Sequence, residues 1–368
     1  MRIAMVSPYS LESIGGVQGQ VVGLARSLRS RGHGVTVFAP AKDPRDVPEA
    51  VGEHVVIGKP VGLRSNGSVA PVAPWPATAA RAERRIRRGG FDVAHLHEPL
   101  APMAGYGLAL RAPLPMIGTY HRAGVSRWVG PAHPFTQFVG SRLQVRVAVS
   151  EAARATGLRE GGGAFEVLFN GVDMDRFESA PPLRDPEGRP TVLFLGRHEP
   201  RKGLPVVLDA FARLQRPAVL WVSGDGPGVE VQRRRRLASD RVQWLGRLSD
   251  DEVASRLAGA DVLCAPSLLG ESFGMVVLEG MAAGCAVVAS DIEGYRMAAG
   301  GHATLVPPGA AGALAAALDS VLAEQAAGGS AQARKEATEY ARAWSMETLA
   351  ERYLGLYSRA IEAYRATR

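Results

Sequence analysis

Residues 1–40 read MRIAMVSPYSLESIGGVQGQVVGLARSLRSRGHGVTVFAP. The opening MRIAMVS is a short apolar strand candidate, and a loop carrying Gly15 and Gly16 follows it. Val17, Val21, Leu24, Ala25 and Leu28 then recur at helical spacing, and Gly32 ends the segment as a C-terminal cap. VTVFAP at 35–40 is the next strand. Strand, glycine loop, helix and strand make a βαβ unit, the building block of a parallel sheet. The alternation continues through HVVIG (54–58), FDVAHLH (91–97), PMIGTYH (115–121) and VRVAVS (145–150). It breaks at ESAPPLRDPEGRP (178–190), where four prolines in thirteen residues read as a linker. It restarts with TVLFLG (191–196), GLPVVLDAFARL (203–214) and AVLWVSG (218–224), and runs on through VQWLG (242–246), DVLCAP (261–266) and AVVAS (286–290). The tail from Ala310 is Ala-rich and helical. The expected fold class is α/β, with two doubly wound Rossmann-like domains over 1–178 and 190–349 facing a central cleft. Ligands in such sheets bind at the carboxyl ends of the strands.

The chain has 368 residues, which at roughly 100–200 residues per domain agrees with two domains. No run of about 18 apolar residues lacks charge, and the N-terminus shows no apolar run with a cleavage site, so neither a membrane-spanning helix nor a secretory signal is expected. Cys264 and Cys285 form no CxxC pair, which argues against a disulfide scaffold or a zinc site and for the cytosol. The formal charge is +7, a balance that favours anionic partners. The basic residues are 39 Arg and only four Lys, so Lys202 stands out where Arg is the default cation.

Five segments carry candidate chemistry. Glu271 and Glu279 are eight residues apart across a helix start, which sets both carboxylates on roughly one face. Ser272, Phe273, Gly274 and Met275 would offer backbone N–H groups there to an anion, while Glu271 and Glu279 suit sugar and ribose hydroxyls. The alternative is a capping glutamate with a second one on a solvated face. Arg197 and Lys202, at the end of the first strand of the second domain, suit a diphosphate. Gly16 would let a backbone N–H approach a phosphate, or is part of an ordinary turn. The motif is no GxGxxG with an acidic ribose reader, so a nicotinamide site is disfavoured. His121 ends a strand and would point into the cleft, whereas His95 and His97 lack a third ligand and are assigned structural roles. Arg81, Arg84, Arg85 and Arg88 form one basic face of a helix whose other side holds Ala79, Ala82 and Ile86, a pattern suited to an anionic membrane surface or to plain solvation. Neither this run nor QRRRR at 232–236 has interleaved aromatics, so nucleic acid is not an expected partner.

Taken together, these residues resemble the retaining family 4 glycosyltransferases of the GT-B fold. Glu271 and Glu279 match the Glu-x7-Glu motif, Arg197 and Lys202 the Arg–Lys pair, and NGVD at 170–173 is also typical. Within the family, RIAMVSPYS, GGVQ, SNGSVA, HEP, RKG and GESFG look closest to the actinobacterial phosphatidylinositol mannosyltransferases. The resemblance implies transfer of mannose from GDP-mannose, with retention, to phosphatidylinositol or a related lipid. The alternative is another UDP- or GDP-linked sugar and a small soluble acceptor. It implies that Gly16 meets the donor phosphate, Arg197 and Lys202 the diphosphate, Glu271 the sugar and Glu279 the ribose. His121 would sit beside the sugar, and residues 247–249, with Leu248 at their centre, would contact the base. Tyr9, Gln18, Asn66, Gly67 and Ser68 would bind the acceptor, and the final helix, about 350–368, would cross back to the first domain. No protein-bound metal is implied, although Mg2+ can accompany the diphosphate. The implied location is cytoplasmic, peripheral at the inner face of the plasma membrane. Three acceptor-side positions depart from the pattern: Leu100 stands where Asn is expected, Ser65 where Tyr is expected, and RAGVSRWVG after His121 replaces a Thr/Ser-rich stretch.

Overall fold

The computed structural model of the chain describes residues 1–12, 16–65, 68–101, 104–122, 124, 133–226, 240–269 and 271–367. The chain divides into two compact units, Met1–Gly171 with Met346–Arg368, and Val172–Ser345. The first unit begins with β1 (Arg2–Val6), α1 (Gly16–Ser30), β2 (Gly34–Ala39) and β3 (His54–Val56). A hairpin of β4 (Val61–Ser65) and β5 (Ser68–Val72) precedes α2 (Pro76–Arg88) and β6 (Val93–His97). After these come α3 (Ala104–Arg111), β7 (Met116–Tyr120), α4 (His133–Ser141), β8 (Val145–Ala148), α5 (Glu151–Gly161) and β9 (Glu166–Val167). The seven strands lie in the order β3-β2-β1-β6-β7-β8-β9, and every pairing is parallel.

Period-two alternation explains how both faces of this sheet are buried. Ile3 and Met5 of β1 join the core formed with α1, while Ala4 and Val6 join the core formed with α2 and α3.

The second unit opens with α6 (Met174–Glu178), then β10 (Thr191–Leu195), α7 (Leu204–Phe211), β11 (Val219–Ser223) and β12 (Val242–Gly246). It continues through α8 (Asp250–Gly259), β13 (Val262–Ala265), α9 (Met275–Ala282), β14 (Ala286–Ser290), α10 (Glu293–Ala299) and β15 (Thr304–Val306) to α11 (Ala311–Ala326) and α12 (Ala331–Arg342). Its sheet is again all parallel, in the order β12-β11-β10-β13-β14-β15.

The division falls earlier than the proline-rich stretch, at Gly171/Val172. Residues 178–190 are not a free linker but a packed loop of the second unit. Leu183 N–H donates to Ser255 O at 2.9 Å, and a Cβ on Gly259 would meet Leu183 O at 2.0 Å. Asp185, 5% exposed, accepts from the Arg189 guanidinium at 3.0 Å. Proline and glycine mark irregular backbone, but they do not say whether that backbone packs.

The chain returns to the first unit with α13 (Met346–Ala366), which starts a few residues before the expected 350. Leu349, Tyr353, Leu356, Tyr357 and Ala360 of α13 complete the core beside α1. A Cβ on Gly23 of α1 would stand 2.7 Å from Met346 Cε, so the Met346 side chain packs directly over the bare Gly23 backbone. Two tyrosines of α13 also carry hydroxyls into the sheet. The Tyr357 hydroxyl lies 2.9 Å from His95 Nδ1, and the Tyr353 hydroxyl 2.8 Å from Thr119 Oγ1.

Tyr357→Phe is expected to lower the unfolding free energy by about 1–3 kcal/mol, because it leaves a buried His95 nitrogen without its partner. Urea unfolding of the full chain checks this, and an unchanged midpoint contradicts it.

Candidate active site

The order of the second sheet creates a switch point: β10 lies between β11, which follows it in sequence, and β13, which comes much later. The loops leaving β10 and β13 at their carboxyl ends therefore meet. The turn Pro200–Lys202 follows β10, and Leu268 N–H after β13 donates to Arg201 O at 2.7 Å. Gly203 makes the close approach possible. Its φ is +71°, and a Cβ there would stand 2.0 Å from Pro266 O.

The side chains converge on one oxygen. Lys202 Nζ donates to Glu271 Oε1 at 2.6 Å, Arg201 Nη1 at 3.0 Å and Ser267 Oγ at 3.1 Å. Ser267 Oγ is held in turn by the Tyr295 hydroxyl at 2.7 Å. Glu199 bridges the other cations, accepting from Arg201 Nε at 2.9 Å and pairing with Arg197 Nη1 at 3.0 Å. The cluster thus holds three cations and two carboxylates. Its excess charge suits an anion, and a diphosphate would draw the cations from their carboxylate partners. The sequence pairs Arg197 with Lys202, whereas in the structure Arg201 shares Glu271 with Lys202 and Arg197 stands one residue away through Glu199. Arg201, Ser267 and Tyr295 were missed. Arg201 had one signal, its place between Pro200 and Lys202 in a run of cations. Ser267 and Tyr295 had none, because their contact depends on the sheet order.

The remaining residues of the second unit are arranged around the start of α9. Ser272 and Met275 are half-buried, and Gly274 precedes the first helical turn. Phe273 is 2% exposed and packs edge-on against Trp344, so its ring belongs to the core. Loss of solvent pushes the Glu279 carboxyl up, Arg176 pulls it down, Asp250 adds to the rise and Lys202 opposes it. Leu248 is half-buried after β12, and the neighbouring Ser249 caps α8 in a capping box with Glu252.

The first sheet has its own switch point, where β1 meets β6. Glu98, directly after β6, has φ +47°, an uncommon conformation for a side-chain-bearing residue and one that costs about 1–3 kcal/mol. Its carboxylate accepts the backbone N–H groups of His121 and Arg122 at 2.5 and 2.6 Å. Burial pushes that carboxyl up, while Arg122 and the two N–H groups pull it down. Arg122 also pairs with Glu160. Glu98 was quoted in the sequence only as part of the HEP segment, and the structure makes it the clamp of the His121 turn. Tyr9 is half-buried after β1, and burial and Glu98 raise its hydroxyl pKa against Arg122. Gln18 Nε2 donates to Ser10 O at 3.2 Å, and Ser10 N–H to Pro71 O at 2.8 Å, so the loop after β1 is tied to the hairpin. Gly16 begins α1 exposed, with open space where a Cβ would project. Asn66 and Gly67 lie outside the described residues, and Ser68 is placed at the start of β5. Leu100 is 6% exposed in the core with α3 and α4.

His121 ends a buried chain of rings. His95 and His97 stack at 4.2 Å between centroids, and His97 and His121 at 5.2 Å. His97 Nδ1 and His121 Nε2 are 2.9 Å apart, so one of them carries the proton. His97 Nε2 is buried and meets no hydrogen-bond partner among the described residues. A buried N–H without an acceptor is costlier than a bare nitrogen, which places the shared proton on His97 Nδ1. His121 Nε2 then accepts, and His121 holds its own proton on Nδ1. Burial pushes the His121 pKa down to about 3, so the ring is a neutral donor.

On α2, Arg81, Arg84, Arg85 and Arg88 are all exposed. Ala82 and Ile86, on the other side, are buried in the core with Leu108 of α3. The apolar side of α2 therefore serves the domain, and only the arginine face meets solvent.

Two family models match the chain: Glycosyltransferase Family 4 over residues 14–176 and Glycosyl transferases group 1 over residues 175–344. The phosphatidyl-myo-inositol mannosyltransferase of Mycolicibacterium smegmatis is 41% identical over 335 residues, which cover 88% of this chain and 85% of that protein. The chain is a family 4 glycosyltransferase of the GT-B fold. The D-inositol 3-phosphate glycosyltransferase of the same organism is 31% identical over 96% of this chain and 88% of that protein. A solved glycosyltransferase from Rickettsia africae shares the fold, with TM-score 0.78, 19% identity and 98% of each chain covered.

In this glycosyltransferase no group of three or more His, Cys, Asp or Glu among the described residues is placed to hold a metal ion. Nor is any described helix long and apolar enough to cross a membrane. Gly203→Ala is expected to cost about 1–3 kcal/mol of stability through its positive φ, read as a lower midpoint in urea unfolding, and an unchanged midpoint contradicts it. A second prediction concerns pH. Burial holds the His97 pKa well below its ordinary 6.5, with the neighbouring His95 and His121 adding to the drop. The stability it gives is present above that value and is lost as pH falls. As pH falls from 7 to 5 this ring withdraws stability from the parent, so the stability gap between the parent and His97→Phe should narrow. An equal gap at both pH values contradicts the assignment.

Proposed function

We propose that this glycosyltransferase moves mannose from GDP-mannose to the inositol of phosphatidylinositol, with retention, on the cytoplasmic face of a membrane. The observation that carries the proposal is the cluster of Arg197, Arg201 and Lys202 around Glu199 and Glu271 at the switch point of the second sheet. The 41% identical relative, a phosphatidyl-myo-inositol mannosyltransferase, supports the sugar and the acceptor.

In this reading Arg197, Arg201 and Lys202 receive the negative charge that builds on the diphosphate as the bond from sugar C1 to phosphate oxygen breaks. Glu271 exchanges its cation partners for sugar hydroxyls. Glu279 takes the ribose, the backbone N–H groups from Ser272 to Met275 take a phosphate oxygen, and the Gly16 N–H is assigned to a donor phosphate. Leu248 packs on the base. The acceptor hydroxyl attacks C1 from the face the diphosphate is leaving. The leaving phosphate oxygen takes the hydroxyl proton, so no side-chain nucleophile and no covalent intermediate are needed. Tyr9 and Gln18, with Asn66, Gly67 and Ser68, hold the acceptor, and the Nδ1–H of His121 donates to an oxygen of the sugar. Any Mg2+ would arrive with the diphosphate. The exposed Arg81, Arg84, Arg85 and Arg88 hold α2 on anionic lipid by charge, since the apolar side of the helix is buried in the domain.

A second reading is favoured by the relative named D-inositol 3-phosphate glycosyltransferase: a small soluble inositol phosphate as acceptor. Sedimentation with anionic vesicles separates the two, since a soluble acceptor requires no membrane binding. Lys202→Ala is expected to lower turnover by about a hundredfold or more, measured as GDP release, while the melting temperature stays close to the parent's. Near-parental turnover contradicts the diphosphate role.

A further inference from the structure

Two kinds of donor hold Glu271 Oε1. Lys202 and Arg201 reach it on long side chains that remain partly exposed. Ser267 reaches it on a short one, and the residue is 1% exposed just past the end of β13. The Tyr295 hydroxyl lies 2.7 Å from Ser267 Oγ, and Tyr295, on α10, is buried to the same degree.

Proton counting fixes the direction of this relay. A serine hydroxyl has one proton to give, and Ser267 gives it to the Glu271 carboxylate at 3.1 Å. The contact with Tyr295 must then run the other way, with the tyrosine O–H donating to Ser267 Oγ. Burial, followed by the Glu271 charge, pushes the Tyr295 hydroxyl pKa up against the pull of Ser267 and Arg201, so the phenol keeps its proton. In such a chain each bond polarises the next, which makes Ser267 a stronger donor. The backbone is held at the same place. A Cβ on Gly294 would stand 2.3 Å from Glu271 O, and one on Gly274 would stand 2.5 Å from Tyr295 Cδ1. The first turn of α10 therefore packs directly on the loop from Glu271 to Gly274.

An incoming anion treats the two kinds of donor differently. A diphosphate competes with Glu271 for the charged donors, Lys202 and Arg201. A neutral, buried serine hydroxyl feels little of that pull and stays on Oε1. Without it, the carboxylate is left to follow the cations. We propose that Ser267 and Tyr295 are positioning residues for sugar recognition, which keep Glu271 aimed at the sugar hydroxyls while the diphosphate takes its cation partners. This rests on the donor reading given above, in which Glu271 binds the sugar.

The test in the full chain is the ratio of affinities for GDP-mannose and GDP, measured by calorimetric titration without acceptor. The ratio isolates the sugar, because a change at the diphosphate cations alters both ligands alike. Ser267→Ala is expected to lower the ratio about tenfold and Tyr295→Phe about threefold, the range of single hydrogen bonds. Glu271→Ala should lower it at least as far as Ser267→Ala. If the ratio falls in Glu271→Ala but stays parental in both Ser267→Ala and Tyr295→Phe, the inference is overturned and the donor reading stands. If Glu271→Ala also leaves the ratio unchanged, Glu271 does not bind the sugar and both are overturned. A fall in Ser267→Ala alone removes the part given to Tyr295. A role confined to packing would lower the melting temperature of Tyr295→Phe and leave its ratio parental, which counts against the inference. If Ser267→Ala fails to fold, Tyr295→Phe decides alone, since it removes one oxygen and leaves the ring in place.

Discussion

One carboxylate oxygen organises the second unit. Glu271 Oε1 receives Lys202, Arg201 and Ser267, groups that belong to the loops leaving β10 and β13. Those strands are neighbours only because the sheet reverses its order there. The contact therefore requires the crossover topology, the hydrogen bond from Leu268 to Arg201 and the bare backbone of Gly203. Partly buried opposite charges stay ionised when they are paired and hydrogen-bonded, and this cluster meets that condition without a ligand. In the proposed reading a diphosphate replaces the carboxylates as partner of the same cations, and the resting ion pairs keep those cations in place until it binds.

The first unit solves a different problem, that of fixing a neutral ring at a strand end. Glu98 adopts a strained backbone to hold the His121 turn, and His97 supports the ring from behind. The support reaches further back, through the stacked His95, to Tyr357 on the last helix of the chain. The end of the sequence thus helps to set the environment of a residue near position 120. The low histidine pKa values follow from the same burial, which disfavours the charged form.

Much of the fold was legible because period-two and helical spacing are local signals. The strands at 35–40, 91–97 and 191–196 and the helix after Gly16 lie where their apolar patterns place them. Lys202 and Glu271 were legible as candidates because each ends a βα turn, where ligands bind in this class of sheet. What could not be read depended on contacts between distant segments. Arg201 looked equivalent to Arg197 until the β13 loop supplied its partner. Residues 178–190 read as a linker because proline content does not reveal that Leu183 bonds to Ser255. Ala82 and Ile86 looked like one side of a membrane helix, although α3 covers them. The β4–β5 hairpin escaped notice because its strands are short and contain Gly62 and Pro71.

The central claim is that the cation cluster presents a mannosyl nucleotide to an inositol lipid. Its most direct test is transfer of labelled mannose from GDP-mannose into the organic-extractable fraction, with phosphatidylinositol vesicles present. The account predicts label in the lipid, with Leu100 and the altered segment after His121 tolerated. Tight GDP binding with no label in the lipid, and label instead on a soluble inositol phosphate, would contradict it.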